Sequence, residues 1–401
     1  MSARTTPTPR PLVALFTAGY LAPYLLPTVV GRLDSGLPLT ATQSGAVGSA
    51  LLLSSASAGL LLASRVHRLG PRALARLGLA LAVVGYGGAA LTGWLPAVVG
   101  GAMVGGFGSG TATAVAATLI AGRPDPHRTT TLGLLGVSAL AGAVYLTVPH
   151  LGPGHGLPLA AIALTALAVW PLTGRLGTAR PAPRRRPDGH PATGLPQRRA
   201  GLVLAGTLLC WSLAQNSLWG VSGRIGLTQA HLSEVTVGAV FAVALGAGLV
   251  GVVLAGALGP RLGLAVPIGG GTAVIGACVA VSAAATDLVT FAAGEIAWNA
   301  LYPIVLSYVI GLAASLDGGG RWAVLVGSAS SLGTAAGPVT GGALAAGFGF
   351  PGMGLVLAGG LFVVAVPMTV VALRVGRASV PVVPVEVGGE KQGAYEAATA
   401  A

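Results

Sequence analysis

The sequence predicts an all-α polytopic membrane protein of twelve transmembrane helices in two related six-helix bundles, and three observations predict it. Hydrophobic residues make up 53% of the 401 and charged residues only 8%, whereas a soluble globular chain carries roughly a quarter charged residues. Mean hydropathy is +0.81. The apolar residues gather into stretches of about 20, the length of helix that crosses about 30 Å of hydrocarbon, and the basic residues gather between those stretches.

The first six spans are expected at 11–30, 42–62, 73–92, 95–121, 130–150 and 157–174. The first follows Arg4 and Arg10 as a secretory signal would, but it is too long, carries interior prolines and is followed by further spans, so it reads as a retained helix. Only Thr92-Gly-Trp94 separates the third from the fourth. After an interruption come 201–222, 233–257, 264–283, 287–313, 322–346 and 350–373. The interruption, 178–199, is rich in proline and in like charge, which opposes a packed core and predicts a disordered cytoplasmic linker. The expected domains are therefore 1–177, the linker 178–199, a second bundle 200–378 and a cytoplasmic tail 379–401.

Lys and Arg are retained on the cytoplasmic side of spans. With the amino terminus placed there, 20 of the 22 basic residues fall inside and only Arg32 and Arg224 outside, which predicts an even number of spans and both termini cytoplasmic. Arg224 reads as a solvated loop charge at the outer end of span seven. The net charge of +12 is thus a matter of topology and implies no nucleic-acid partner. The block Arg184–Arg186 reads as a topology determinant beside lipid headgroups. Cys210 and Cys278 fall inside apolar stretches, giving neither a disulfide framework nor metal-ligand spacing. The excess of Arg over Lys and the abundance of Ala and Gly suit a high-GC bacterial genome, hence a bacterial inner membrane.

The halves are internally similar. His67-Arg-Leu-Gly70 follows span two and Pro260-Arg-Leu-Gly263 follows span eight; Asp125-Pro-His-Arg128 precedes span five and Asp317-Gly-Gly-Gly-Arg321 precedes span eleven. Such duplication suits a carrier in which two bundles rock about a site near the midplane.

At these residues the chain resembles the major facilitator superfamily, over about 11–377, and within it the twelve-span proton-coupled exporters of drugs and metabolites. The family's motif after span two, G-x-x-x-D-R-x-G-R-R, is matched here by Arg68, Gly70 and Arg72, with His67 where the family has an acid. The copy after span eight keeps Arg261 and also lacks the acid. The pattern G-x-x-x-G-P-x-x-G-G stands intact as Gly333-Thr-Ala-Ala-Gly337-Pro338-Val-Thr-Gly341-Gly342 in span eleven; the antiporters known for it carry it in span five. Read from the residues alone, it is a close helix contact. Span four has the glycine ladder of the exporters, Gly101 to Gly110, without their arginine.

The resemblance implies a cavity lined by spans one, four, seven and ten. In span ten, Glu295, Asn299 and Tyr302 recur at i, i+4 and i+7 on one helical face. Glu295 lies about 12 Å into the span at 1.5 Å per residue. A carboxyl at that depth is protonated and structural, or contacts a cationic or hydroxylated substrate, or exchanges a proton during transport. In span seven Gln215, Asn216 and Trp219, beside Trp211, suit a flat or cationic ligand or else bind helix to helix. In span one Tyr20 and Tyr24 are candidate cavity hydroxyls, Tyr24 alternatively an interfacial anchor. The chain holds no HExxH and no GxxxxGK[ST], and its histidines lie in loops or at span ends. No enzyme, cofactor or metal is therefore expected. The expectation is a monomeric secondary transporter of a small organic molecule, exporting it in exchange for protons. The alternatives are an importer or uniporter without proton coupling, a non-transporting sensor, or a membrane-embedded enzyme.

Overall fold

The computed structural model describes residues 10–176, 196–317 and 321–378, and among them every regular element is helical. The expected tail 379–401 lies outside the described residues, as does the linker up to residue 195. The last residues of that linker, Arg198 and Arg199, are already helical.

The first half runs α1 (Arg10–Tyr24), α2 (Leu26–Gly36), α3 (Ala41–Leu62), the short α4 (Val66–Leu69), α5 (Pro71–Leu91), α6 (Leu95–Ala121), α7 (Pro126–Thr147) and α8 (Gly156–Val169). The second runs α9 (Arg198–Arg224), α10 (Glu234–Leu258), α11 (Gly271–Ala283), α12 (Leu288–Ser315) and α13 (Arg321–Ala378). Side chains cap the starts of several helices. Thr40 and Gln43 form a reciprocal capping box on α3, Ser233 caps α10, and Asp287 accepts from the amides of Val289 and Thr290 on α12.

Span one is one of the differences from the sequence expectation. It is not a single helix over 11–30 but α1 and α2 meeting at 47°. Pro27 has no N–H to give the carbonyl of Pro23, so the ladder fails where the helix turns. Among the described residues ten helices are long and apolar enough to cross a membrane, eleven when this bent pair counts as one. The count differs from the expected twelve because α13 is a 58-residue helical run. At 1.5 Å per residue it would measure about 87 Å, nearly three hydrocarbon thicknesses. It is broken at Gly349, whose φ of 69° and ψ of 172° only glycine adopts without strain. That break falls in the gap 347–349 between two expected spans.

The halves pack by the same scheme. In the first, α3 and α5 pack on α6, α5 on α8, and α1 on α7; in the second, α10 and α11 pack on α12, and α11 and α9 on α13. The repeated loops also share a backbone feature. Gly70, after α4, has φ 87° and Gly263, after the turn at 259–262, has φ 62°. Both sit where L side chains are strained, so the matched Arg-Leu-Gly sequences end in matched left-handed turns. Arg72 Nε donates to the Leu176 carbonyl and Arg76 Nε to Thr173 Oγ1 at 3.2 Å, fastening α5 to the end of the first half. Arg68 in α4 and Arg261 in the turn at 259–262 are exposed.

Between the halves, α3 packs on α13 and α7 on α10. Small residues set these approaches. Pro338 lies against Gly45 and Gly48 of α3 and Gly220 of α9, while Gly238 of α10 lies against the Tyr145 carbonyl of α7. A Cβ at Gly45, Gly220 or Gly238 would collide with backbone, and one at Gly48 with the Val30 side chain.

Candidate functional site

The bonds that join the halves lie toward the end of the molecule that carries few arginines. Arg32, 4% exposed at the end of α2, donates from Nε and Nη2 to the two carboxylate oxygens of Glu234, each at 2.9 Å. Its Nη1 donates to the Gly152 and Gly154 carbonyls at 2.7 and 3.1 Å, and Nη2 also to Val148 at 3.2 Å. All five guanidinium N–H groups are thereby used. Asp34 lies 2.9 Å from Arg224 Nε, and the Arg224 guanidinium lies 5.6 Å from the Phe350 ring centroid. Arg224 is therefore not the solvated loop charge expected from sequence. It is a partner in an ion pair between halves, and only the fold brings residues 34 and 224 together.

Beneath these pairs the bend of span one is pinned. The Pro23 carbonyl that Pro27 cannot satisfy accepts from Trp219 Nε1 of α9 at 3.1 Å, and the next carbonyl, Tyr24, accepts from the Tyr145 hydroxyl of α7 at 2.5 Å. A buried carbonyl without a donor is costly, so the bend depends on both aromatic residues. Trp219 is itself part of a run of ring contacts: Trp298 at 5.6 Å, Phe241 at 5.3 Å, and from Phe241 to Tyr145 at 5.2 Å and Phe291 at 6.1 Å. These rings fill the seam between α7, α9, α10 and α12. The Val339 amide of α13 adds a bond across the halves to Ser49 Oγ at 3.0 Å.

Along the second half, α9 and α12 meet in three rungs. Trp211 stacks on Tyr302 with centroids 5.1 Å apart and planes at 26°. Trp298 Nε1 donates to Gln215 Oε1. Ser222 Oγ donates to Glu295 Oε1 at 2.7 Å, and Ser282 Oγ of α11 donates to the same oxygen at 2.6 Å. Glu295 and Gln215 are each 0% exposed. They were expected on a cavity wall, and the structure places them inside the second bundle, with Glu295 Oε2 and Gln215 Nε2 unpaired. The i, i+4, i+7 face of span ten is thus divided: Glu295 turns to α9 and α11, while Asn299 and Tyr302 are half-buried.

Tyr20, Tyr24, Asn216, Asn299 and Tyr302 are all half-buried. Tyr302 lies near enough to Tyr20 and Tyr24 for their hydroxyls to interact electrostatically, which brings the two halves' phenols together. Asn216 Nδ2 donates to the Ser212 carbonyl at 2.8 Å and to Thr334 Oγ1 at 3.2 Å; Asn299 Nδ2 donates to the Glu295 carbonyl at 2.9 Å. Gly333, Gly337 and Gly341 of α13 press against the α9 backbone at Leu209, Asn216 and Ser217. The glycine pattern of span eleven is therefore a helix seam directly behind Asn216. Ser222 and Ser282 escaped the sequence reading, since Ser hydroxyls in apolar helices ordinarily bond their own preceding turn, and Ser222 Oγ also lies 3.0 Å from the Leu218 carbonyl; Tyr145 escaped it because its partner carbonyl, Tyr24, is 121 residues away in sequence. Among the described residues no cluster of three or more His, Cys, Asp or Glu could hold a metal ion.

No protein-family model matches the chain, and no curated protein matches it in sequence. Solved structures do. The human organic anion transporter MFSD10 is 16% identical over 90% of this chain and 100% of its own, with a TM-score of 0.61. A bacterial homolog of the human lysosomal transporter Spinster, in an inward-facing and unoccupied conformation, is 14% identical over 92% and 95%, with a TM-score of 0.65. The nucleoside transporter NupG is 12% identical over 90% and 99%, with a TM-score of 0.70. The chain is a multi-pass membrane protein with the fold of the major facilitator transporters.

Proposed function

We propose that the chain is a secondary carrier that moves a small organic molecule by alternating access, exporting it from a bacterial cytoplasm in exchange for protons. The arginine-rich end faces the cytoplasm, so the structure is a form closed to the outside. The observation that carries this reading is the level of half-buried phenols and amides from both halves, Tyr20, Tyr24, Asn216, Asn299 and Tyr302, lying directly beneath a seam of bonds between those halves. Such a polar level closed at one end suits a cargo site reached from the other. Arg68, Gly70, Arg72 and Arg261 around the connections after the second and eighth spans, and Gly333, Gly337 and Pro338 in α13, serve the change of conformation rather than the cargo.

Glu295 is the proton site, because it is an acid in the spans' interior with one oxygen held by two hydroxyls and the other unpaired. Buried in this conformation, it acts on the cargo through α9 and α12 and does not touch it. Accumulation of a panel of drug-like compounds in inverted vesicles, driven by a pH gradient, tests the coupling. Glu295→Gln should lose gradient-driven accumulation while keeping exchange of labelled cargo at zero gradient. Accumulation in the variant with an intact proton dependence would take Glu295 out of the mechanism. Wild-type transport that ignores a protonophore would replace antiport with uniport.

A further inference from the structure

Resting on the carrier reading above, we propose that the cargo is an uncharged, flat heterocyclic molecule that offers carbonyl-type acceptors along one edge and N–H or O–H donors along another. Four features of this half-buried level point to it.

Charge complementarity comes first. Apart from charges near helix ends, such as Arg32 and Asp34 in α2, Arg76 in α5 and Arg224 in α9, Glu295 is the single Asp, Glu, Lys or Arg of the spans, and it is shut inside the second bundle at 0% exposure. The half-buried level therefore presents no cation to neutralise a carboxylate or phosphate and no reachable anion to neutralise an ammonium. A charged cargo would be stripped of water there without a counter-charge, at a cost of several kcal/mol.

Second, the level holds donors. The phenol hydroxyls of Tyr20 and Tyr302, one on each half and both half-buried, can each give an O–H to an incoming acceptor, whereas Trp211 and Gln215 are 0% exposed and out of reach. Third, the amides of Asn216 and Asn299 are held by their Nδ2 groups on backbone carbonyls one turn earlier. This fixes the side chains and leaves the Oδ1 atoms to accept from cargo. Fourth, Trp211 and Tyr302 already lie nearly parallel at 5.1 Å, and Tyr20 lies nearly parallel to Phe16 at 4.5 Å. Each half thus brings a stacked aromatic pair to the site, surfaces against which a planar ring is bound with little loss of freedom.

Three planar tricyclic probes differing in charge test the assignment: lumichrome, which is neutral with imide carbonyls and N–H groups, 10-methylacridinium, and anthracene-9-carboxylate. Energy transfer from tryptophan to each probe is titrated on the full chain in nanodiscs. Lumichrome should give a saturable signal and rank first. Tyr302→Phe keeps the stack and deletes the donor, and should weaken lumichrome about five- to tenfold, the worth of one hydrogen bond. Asn299→Ala should do the same, and an unchanged thermal midpoint shows that neither variant has merely unfolded. A first rank for the cation or the anion, no saturable lumichrome signal, or full affinity in both variants overturns the cargo class. The carrier reading fails separately, if the vesicles accumulate none of the compounds while lumichrome still binds.

Discussion

Trp219 of the second half donates its indole N–H to the Pro23 carbonyl of the first over 3.1 Å, at the point where span one turns by 47°. The bend and the closure of this end are therefore one event. Separation of the halves exposes a carbonyl that the helix itself cannot satisfy, because the residue that would supply its donor is Pro27, which has no N–H.

Trp219→Phe should loosen this end without removing the ring contacts to Trp298 and Phe241. Loss of the donor leaves the Pro23 carbonyl buried and unpaired, a cost of about 1–3 kcal/mol borne by the closed form alone. The check is the rate at which a maleimide labels Thr28→Cys in a background with Cys210→Ser and Cys278→Ser. That rate should rise several-fold, and an unchanged rate would mean that the bond does not hold the seam.

The crossed ion pairs should answer differently to charge exchange. Asp34 and Arg224 are each 21% exposed, so Asp34→Arg with Arg224→Asp should restore most of what either single change costs. Arg32→Glu with Glu234→Arg should not, because the three carbonyls at 148, 152 and 154 would then face a carboxylate. Glu234→Gln alone should cost about 1–3 kcal/mol, less than a fully buried pair, since Glu234 is 38% exposed and water screens it. Thermal midpoints in detergent measure each case.

Glycine substitutions along α13 should divide by position. Gly341→Ala places a methyl into the Ser217 backbone and should destabilise by about 1–3 kcal/mol as α13 is pushed from α9. Gly327→Ala and Gly359→Ala meet nothing and should be neutral or stabilising by about 0.5–1 kcal/mol through helix propensity. Equal effects at the three positions would contradict the packing.

Asp287 supplies a pH dependence at the arginine-poor end. Amide and hydroxyl donation from Thr290, and the amide of Val289, hold its carboxyl below the usual aspartate range. A depressed acid stabilises the fold above its unfolded value, near 3.9, and the contribution is lost as pH falls through the lower folded value. Wild-type protein should thus lose stability more steeply than Asp287→Asn below about pH 4. Parallel acid melts of the two would remove the cap from the account.

What the sequence made legible is what depends on local pattern. Hydropathy located the spans, the break before the last span falls at Gly349, and the paired Arg-Leu-Gly loops end in matched positive-φ glycines at 70 and 263. What it did not show depends on pairing across long separations. Arg224 could not be matched to Asp34, nor the Pro23 carbonyl to Trp219, without the helices in place. The face of α12 misled for a related reason. Helical spacing puts Glu295 and Tyr302 on one stripe, but Ser222 and Ser282 draw the carboxyl into the bundle, and no period records that.

Each half contributes one cation and one anion to the arginine-poor rim, Arg32 with Asp34 and Arg224 with Glu234. On the carrier reading proposed above, parting that rim shifts no net charge through the membrane field, which would otherwise exact about 2.3 kcal/mol per elementary charge per 100 mV. On that reading the rim is electrically silent, and voltage sensitivity enters only with the cargo or its counter-ion.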